Sequence, residues 1–297
     1  MKNVIISGAS GFIGSSLVKR LLNEEVHIWT LDKEYREGIF SESDKVTQLN
    51  ENFDIGKLID SFDNTNYDSF YNFAWQGVNG PDKGRYDIQT NNIMLTLRYA
   101  ELAKALGCKK YLCAGTIAER AIESLPTLKC ASGGMMYSAA KSCSHILLET
   151  YCKNIGLEFV WMQFSNIYGP RNKTGNLISY TLNQLKKGEA ASFGPAQQPY
   201  DFLYVDDLIE AICRLGMQDA KENFYYIGSG KPRILEYYLR AVGEAFGRPE
   251  LIHIGERSDD GIKYDYEMMD SSKTMSDIGN YVSGAFEEHI RYTIDNY

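Results

Sequence analysis

The chain opens on Lys2 to Ser7, a short run rich in Val and Ile that ends at Gly8 and predicts a buried strand. Phe12, Ile13, Leu17 and Leu21 then recur at helical spacing, and Val26 to Leu31 predicts a second strand. Asp68 to Ala74 and Lys110 to Ala114 read as two more strands, separated by a helical stretch from about Arg85 to Leu106. Tyr137 to Asn154 reads as a helix and Leu157 to Phe164 again as a strand. Strands that alternate with helices require crossover connections, and so a parallel sheet covered on both faces. After about Ser165 the rhythm loosens, with Tyr168-Gly169-Pro170 and Gly194-Pro195 breaking it, and 271–297 predicts two helices. The expected fold class is α/β: a doubly wound parallel sheet followed by a smaller, interleaved C-terminal domain. The larger part should span 1–165 with about 200–228, and the smaller part about 166–199 and 229–297.

Composition narrows the function classes. The 297 residues carry 31 Lys plus Arg against 39 Asp plus Glu, a net charge of −8, which argues against a duplex-binding surface. Apolar content of 44% supports a sizeable core and excludes disorder. Mean hydropathy is −0.33 and no apolar stretch is long enough for a membrane span. Cys108, Cys113, Cys130, Cys143, Cys152 and Cys213 form no CxxC pair, and His27, His145, His253 and His289 are scattered, so no metal site is expected. Met1 to Gly8 runs into a strand, without the pattern of a secretory leader, so reduced thiols in a cytoplasmic protein are expected.

The first strand ends in Gly8-Ala9-Ser10-Gly11-Phe12-Ile13-Gly14. Glycine is required where such a turn is tight, where backbone approaches a pyrophosphate, and where helix meets sheet. The following helix start offers N–H groups and partial positive charge to phosphates. Alone the pattern is weak, but here a strand precedes it, a helix follows, and the second strand ends in Asp32. A carboxylate at that spacing suits an adenosine ribose and repels a 2′-phosphate, favouring NAD over NADP; the other reading of Asp32 is a surface loop.

Tyr137-Ser138-Ala139-Ala140-Lys141 sets a phenol and an ammonium four apart, on one helix face. A free phenol, with a pKa of about 10, is a poor base near neutrality, and a cation one turn away stabilises its phenolate. With 21 Tyr in the chain such a pair also arises by chance. Its weight comes from lying downstream of a dinucleotide turn, where it would move a proton while hydride moves to or from the cofactor.

These motifs resemble the extended short-chain dehydrogenase/reductase family of nucleotide-sugar epimerases, dehydratases and reductases, and the likeness runs nearly end to end. The resemblance implies a Rossmann-type fold, and further segments carry it. Asp54-Ile55 is similar to the family's adenine-contacting Asp-Ile, and Asn92 to the Asn that starts the helix before the fourth strand. Thr116 falls where the family has a catalytic Ser or Thr, and Asn166-Ile167-Tyr168-Gly169-Pro170-Arg171 is similar to Asn-x-Tyr-Gly-Pro-Arg, whose Asn touches substrate. Asp201-Phe202-Leu203-Tyr204-Val205-Asp206-Asp207 matches a characteristic strand-to-helix segment, and Arg257-Ser258-Asp259-Asp260 an Arg-Pro-Gly-Asp motif whose Arg grips the diphosphate. The resemblance thus implies Tyr137, Lys141 and Thr116 as catalytic. Gly8, Ser10, Gly11, Phe12, Ile13, Gly14, Asp32, Asp54, Ile55, Ala74, Asn92, Tyr137 and Lys141 would bind cofactor, and Thr116, Asn166, Arg171, Tyr200 and Arg257 substrate.

The departures bear on activity. Asn72 replaces a usual His, Gln163 a common Arg, and Tyr200 the Arg that normally precedes Asp-Phe. Ile117 and Ala118 follow Thr116 where 4,6-dehydratases have Asp-Glu, so dehydration is not expected, and Glu119 is expected to be a solvated helix-start residue. What remains is 4-epimerisation of a nucleotide sugar with tightly held NAD, 4-keto reduction with external NAD(P)H, or, less favoured, decarboxylation. A non-catalytic dinucleotide sensor is the alternative from another class; it is expected to lack Tyr137 or Lys141, and both are present. The resemblance also implies a homodimer: Met94, Leu97, Ile146 and Leu148 either pair two copies or cover the sheet.

Overall fold

In the computed structural model, residues 1–35, 39–40, 43–51, 54–63, 66–172 and 174–297 are described. Val and Ile at successive positions of β1 (Asn3–Ser7) are buried on both faces, as a central parallel strand demands. β1 pairs in parallel with β2 (His27–Asp32) on one side and with β4 (Ser69–Asn72) on the other. β3 (Val46–Asn50) extends the sheet beyond β2. β5 (Lys110–Thr116) and β6 (Glu158–Phe164) extend it beyond β4. Three short pieces follow, β7 (Asn166–Tyr168), β8 (Ala191–Ser192) and β9 (Pro199–Tyr200), then β10 (Phe202–Tyr204) and β11 (Phe224–Ile227). β11 closes the far edge against β6, giving a seven-stranded parallel sheet in the order β11-β6-β5-β4-β1-β2-β3. The winding reverses between β1 and β4, so a crevice opens at the carboxyl ends of those two strands. This is the expected α/β, doubly wound architecture.

Helices cover both faces. α1 (Phe12–Leu21), α5 (Leu177–Lys187), α6 (Val205–Met217), α7 (Leu235–Phe246) and α9 (Phe286–Asp295) contribute buried apolar residues to one layer, with Leu17, Leu182, Leu208 and Leu239 fully buried. α2 (Ile55–Ile59), α3 (Tyr86–Ala105) and α4 (Gly133–Ile155) cover the other, around Tyr99, Tyr111, Leu148 and Trp161. Short pairings β7 with β10, β9 with β12 (Arg233–Ile234) and β8 with β13 (Ile252–His253) tie the later segments together, and α8 (Ser272–Ile278) completes the two-helix end of the chain. Many of the tyrosines are core residues: Tyr67, Tyr71, Tyr99, Tyr111, Tyr168 and Tyr225 are almost wholly buried, as amphipathic rings with one polar tip allow. Among the described residues no helix is long and apolar enough to cross a membrane.

The pattern-based reading missed β3 and β11 and started α4 a turn late, at Tyr137 rather than Gly133. β3 is an edge strand in which no residue is fully buried and Gln48 and Asn50 are exposed, so it lacks an apolar run. Leu148, listed above among the possible dimer contacts, is fully buried in the core, whereas Met94 and Ile146 face solvent.

Candidate active site

The glycine turn is built by contact distance. Gly8 has φ +67°, and a Cβ there would lie 2.7 Å from the Ala74 nitrogen. A Cβ on Gly14 would lie 2.3 Å from the Gly8 carbonyl oxygen, so α1 rests directly on the end of β1. Gly11 precedes α1 without any side-chain cap, which leaves the first N–H groups of the helix open to an anion. Asp32, at the end of β2, accepts from the Ser10 backbone N–H at 2.9 Å and from its hydroxyl at 2.6 Å, drawing the turn onto the second strand. These features fit a dinucleotide: a close backbone cradle, an uncapped helix start and a carboxylate at the ribose position.

The opposite wall of the crevice is the segment after β4. The buried Asn92 clamps it, accepting from the Gln76 N–H at 2.9 Å and donating to the Gln76 carbonyl at 2.8 Å. Asn92 lies two turns into α3, not at its start. Asn72, buried where a His was expected, accepts from Ser7 Oγ at 2.7 Å and from the Ala74 N–H at 3.2 Å. Asp54 caps α2 by accepting from the Lys57 N–H, with Ile55 as the first residue of that helix.

At the end of β5 the structure brings Thr116 beside the phenol of Tyr137. Burial, and secondarily the charge of Glu119, push the Tyr137 phenol well above its usual range. Its ring lies edge-on to Trp75 at 6.0 Å, with the Lys83 ammonium 4.9 Å from its centre. Lys141 is 5% exposed, donates to the Ala114 carbonyl at 2.7 Å and sits 3.7 Å from the centre of the Trp75 ring. Burial brings its pKa down to about 8, against the attraction of Cys113 and Glu119. Tyr137 and Lys141 therefore share a face of α4, but the lysine is anchored on β5 and an indole. Nothing in the local spacing signalled Trp75 or Lys83.

Glu119 corrects an expectation. It is 6% exposed and turned inward, accepting from the Thr116 N–H at 2.6 Å, Trp161 Nε1 at 3.1 Å and Gln163 Nε2 at 3.2 Å. The reason is local: the segment Ile117–Thr127 is a 3₁₀ helix closed by a capping box between Thr116 and Glu119. Gly115 leaves the space, since a Cβ there would lie 2.3 Å from Trp161 Nε1 and 2.8 Å from Glu119.

The residues expected on the substrate side are spread. Asn166 donates to the Asp201 carbonyl from both its backbone and its side chain, joining β7 to β10. Tyr200 packs tilted against Phe202 at 4.9 Å between ring centres, and Arg257, exposed, donates to the Tyr180 hydroxyl at 2.6 Å. Arg171, at φ +66°, is set apart from this group and lines a cavity with Ser16, Lys19 and Arg20 on the flank of α1.

Comparison with known proteins places this geometry. The chain is similar to dTDP-D-glucose 4,6-dehydratase of Dictyostelium discoideum, 25% identical over 77% of this chain and 58% of that protein's length. It is 25% identical to UDP-glucose 4-epimerase of Mycolicibacterium smegmatis, over 83% of each. Among solved structures, UDP-N-acetylglucosamine 4-epimerase of Methanobrevibacter ruminantium superposes with a TM-score of 0.81 at 20% identity, covering 99% of this chain and 97% of that one. The model of the NAD dependent epimerase/dehydratase family matches residues 4–228, and the chain belongs to that family.

Proposed function

We propose that this protein is an NAD-dependent nucleotide-sugar epimerase acting at C4, by oxidation of a ring hydroxyl to a ketone and re-reduction on the other face. The observation that carries this reading is the phenol of Tyr137, set beside Thr116 and one helix turn before the buried Lys141, at the carboxyl end of β5 and next to the segment on which the glycine turn packs. The epimerases among its relatives support it.

The residues that would hold NAD are the open N–H groups after Gly11, with Phe12 and Ile13 starting α1, Asp32 at the ribose, Asp54 and Ile55 near the base, and Ala74 with Asn92 along the wall. When bound, NAD supplies the hydride acceptor and donor. Tyr137 moves the proton of the sugar hydroxyl at its phenol oxygen, and Thr116 orients that oxygen by a hydrogen bond. Burial keeps the free phenol protonated, so it is set as an acid; working as a base it needs positive charge, and in this reading that is the role of Lys141, one turn further along α4. The segments at about 166–199 and 229–297 supply the substrate side, with Asn166 and Tyr200 at the sugar and Arg257 at the diphosphate; Arg171 would reach the ligand only from the α1 flank. Incubation with UDP-, GDP-, dTDP- and CDP-sugars, followed by NMR of the anomeric signals, tests the reading. Appearance of a C4 epimer supports it, and its absence for all four nucleotides contradicts it.

Asp32 weighs against a reductase that draws on NADPH, because its carboxylate would face the 2′-phosphate. Asp32→Asn keeps the shape and removes the charge; the ratio of NAD to NADP affinity, measured by calorimetry, is expected to fall about tenfold, or about 1.4 kcal/mol.

Two copies pair through α3 and α4 in this reading. Tyr86, Met94 and Ile146 are 71%, 54% and 66% exposed on those helices, an unusual density of bare apolar side chains. Met94→Glu with Ile146→Glu is expected to halve the mass seen by sedimentation without lowering the melting temperature of the subunit by more than a few degrees.

A further inference from the structure

Glu119 is a buried acid beside the reacting residues that the chemistry above leaves without a role. Its carboxylate is met by three N–H donors, from Thr116, Trp161 and Gln163. Such a set favours the ionised form and opposes the effect of burial, which pushes its pKa up. The ring of Trp161 also lies near a buried cation with the converse problem. Among the described residues the Lys141 ammonium has a single carbonyl acceptor, that of Ala114, and it faces the rings of Trp75 and Trp161 at 3.7 and 5.9 Å. Trp161 links the two, since its indole N–H donates to Glu119 while its ring lies toward Lys141. A buried charge with no opposite charge is costly even after relaxation.

We propose that Glu119 is the buried counter-charge of Lys141, a positioning residue that keeps the lysine protonated across the working pH range and fixes Thr116 through its backbone N–H. The proposal rests on the reading of Tyr137, Thr116 and Lys141 as the reacting site. The groups that face Glu119 are Lys141, Tyr137 and His145 from α4, Cys113 from β5, and Arg120 and Glu123 from its own 3₁₀ helix; Trp161 and Gln163 of β6 and Phe224 of β11 carry no charge. His145 is stacked flat on Trp161 at 4.8 Å, and burial lowers its pKa, so it brings little positive charge near neutrality. Lys141 is then the buried cation that Glu119 answers.

The sign follows directly. Burial draws Lys141 down to about 8 while Cys113 and then Glu119 draw it up, so removal of the Glu119 charge moves the midpoint below 8. For the loss of one full charge among buried groups, a shift of about one to two pH units is expected. The test is an NMR titration of the full-length protein carrying ¹³Cε-labelled lysine, with the Lys141 signal identified by its loss in Lys141→Met. Glu119→Gln is expected to move the Lys141 midpoint down by about one to two units, and Glu119→Asp, which keeps the charge, by less than about half a unit. An unmoved midpoint in Glu119→Gln overturns the proposal. If Glu119→Gln does not fold, the double variant Glu119→Gln/Lys141→Met decides: recovery of folding when the lysine goes supports the pairing, and a double variant that also fails to fold overturns it. No substrate is needed for either readout, so the result is separate from whether the protein epimerises a sugar.

Discussion

Tyr137→Phe is expected to lower kcat by about 10³-fold, within the 10²–10⁴ range of general acid–base catalysis, while NAD affinity stays within about twofold. The substitution is clean. Phenylalanine keeps the edge-on packing against Trp75 and leaves the Lys83 ammonium over the ring, and it removes only the hydroxyl that meets Thr116. Loss of one hydrogen bond costs about 1 kcal/mol, so the melting temperature should fall by only a few degrees. Steady-state rates with the best substrate, beside calorimetry with NAD, separate the two effects. Turnover that survives in Tyr137→Phe removes the phenol from the mechanism. The same site implies a pH dependence: the Lys141 cation is present below about 8 and lost as pH rises through it, so activity that relies on it declines above that value.

Gly14→Ala is expected to weaken NAD binding by at least about 100-fold, or about 2.7 kcal/mol. Its Cβ would lie 2.3 Å from the Gly8 oxygen and 2.8 Å from the Ala9 Cα, both backbone atoms that cannot swing aside. The helix has to lift from β1, and its open N–H groups leave the place where a pyrophosphate would lie. Ser15→Ala, in the same turn, is the control and should bind NAD as the native chain does. Calorimetric titration with NAD gives both values, and native-like affinity in Gly14→Ala would remove the turn from the cofactor site.

What the sequence showed, and what it hid, follows from the range of the interactions. The central strands were legible because a strand buried on both faces must be apolar throughout, as in Val4, Ile5 and Ile6. The glycine turn and the Tyr137–Lys141 spacing were legible because each is fixed within a few residues. β3, at the sheet edge with Thr47 half-buried and Gln48 exposed, carries no such signature. β11 depends on pairing with β6, more than fifty residues earlier, which local pattern cannot report. Glu119 was misread for the same reason: a Glu three residues after Thr116 fits a solvated helix start. Only Gly115, Trp161 and Gln163, gathered from β5 and β6, make room for it inside. Trp75 over Lys141 is likewise a contact between a loop and a helix far apart in sequence. The tetrad of turn, carboxylate, phenol and lysine was visible, and the aromatic and acidic setting that tunes it was not.

The central claim is that the hydride removed from the sugar returns to the same sugar. The most direct measurement uses nucleotide sugars deuterated at C4, incubated with the NAD-loaded protein and analysed by NMR and mass spectrometry. Formation of the C4 epimer with deuterium retained, and no net gain or loss of NADH, is the predicted result. Deuterium washed out to solvent, or stoichiometric consumption of NAD(P)H to a reduced product, would contradict it.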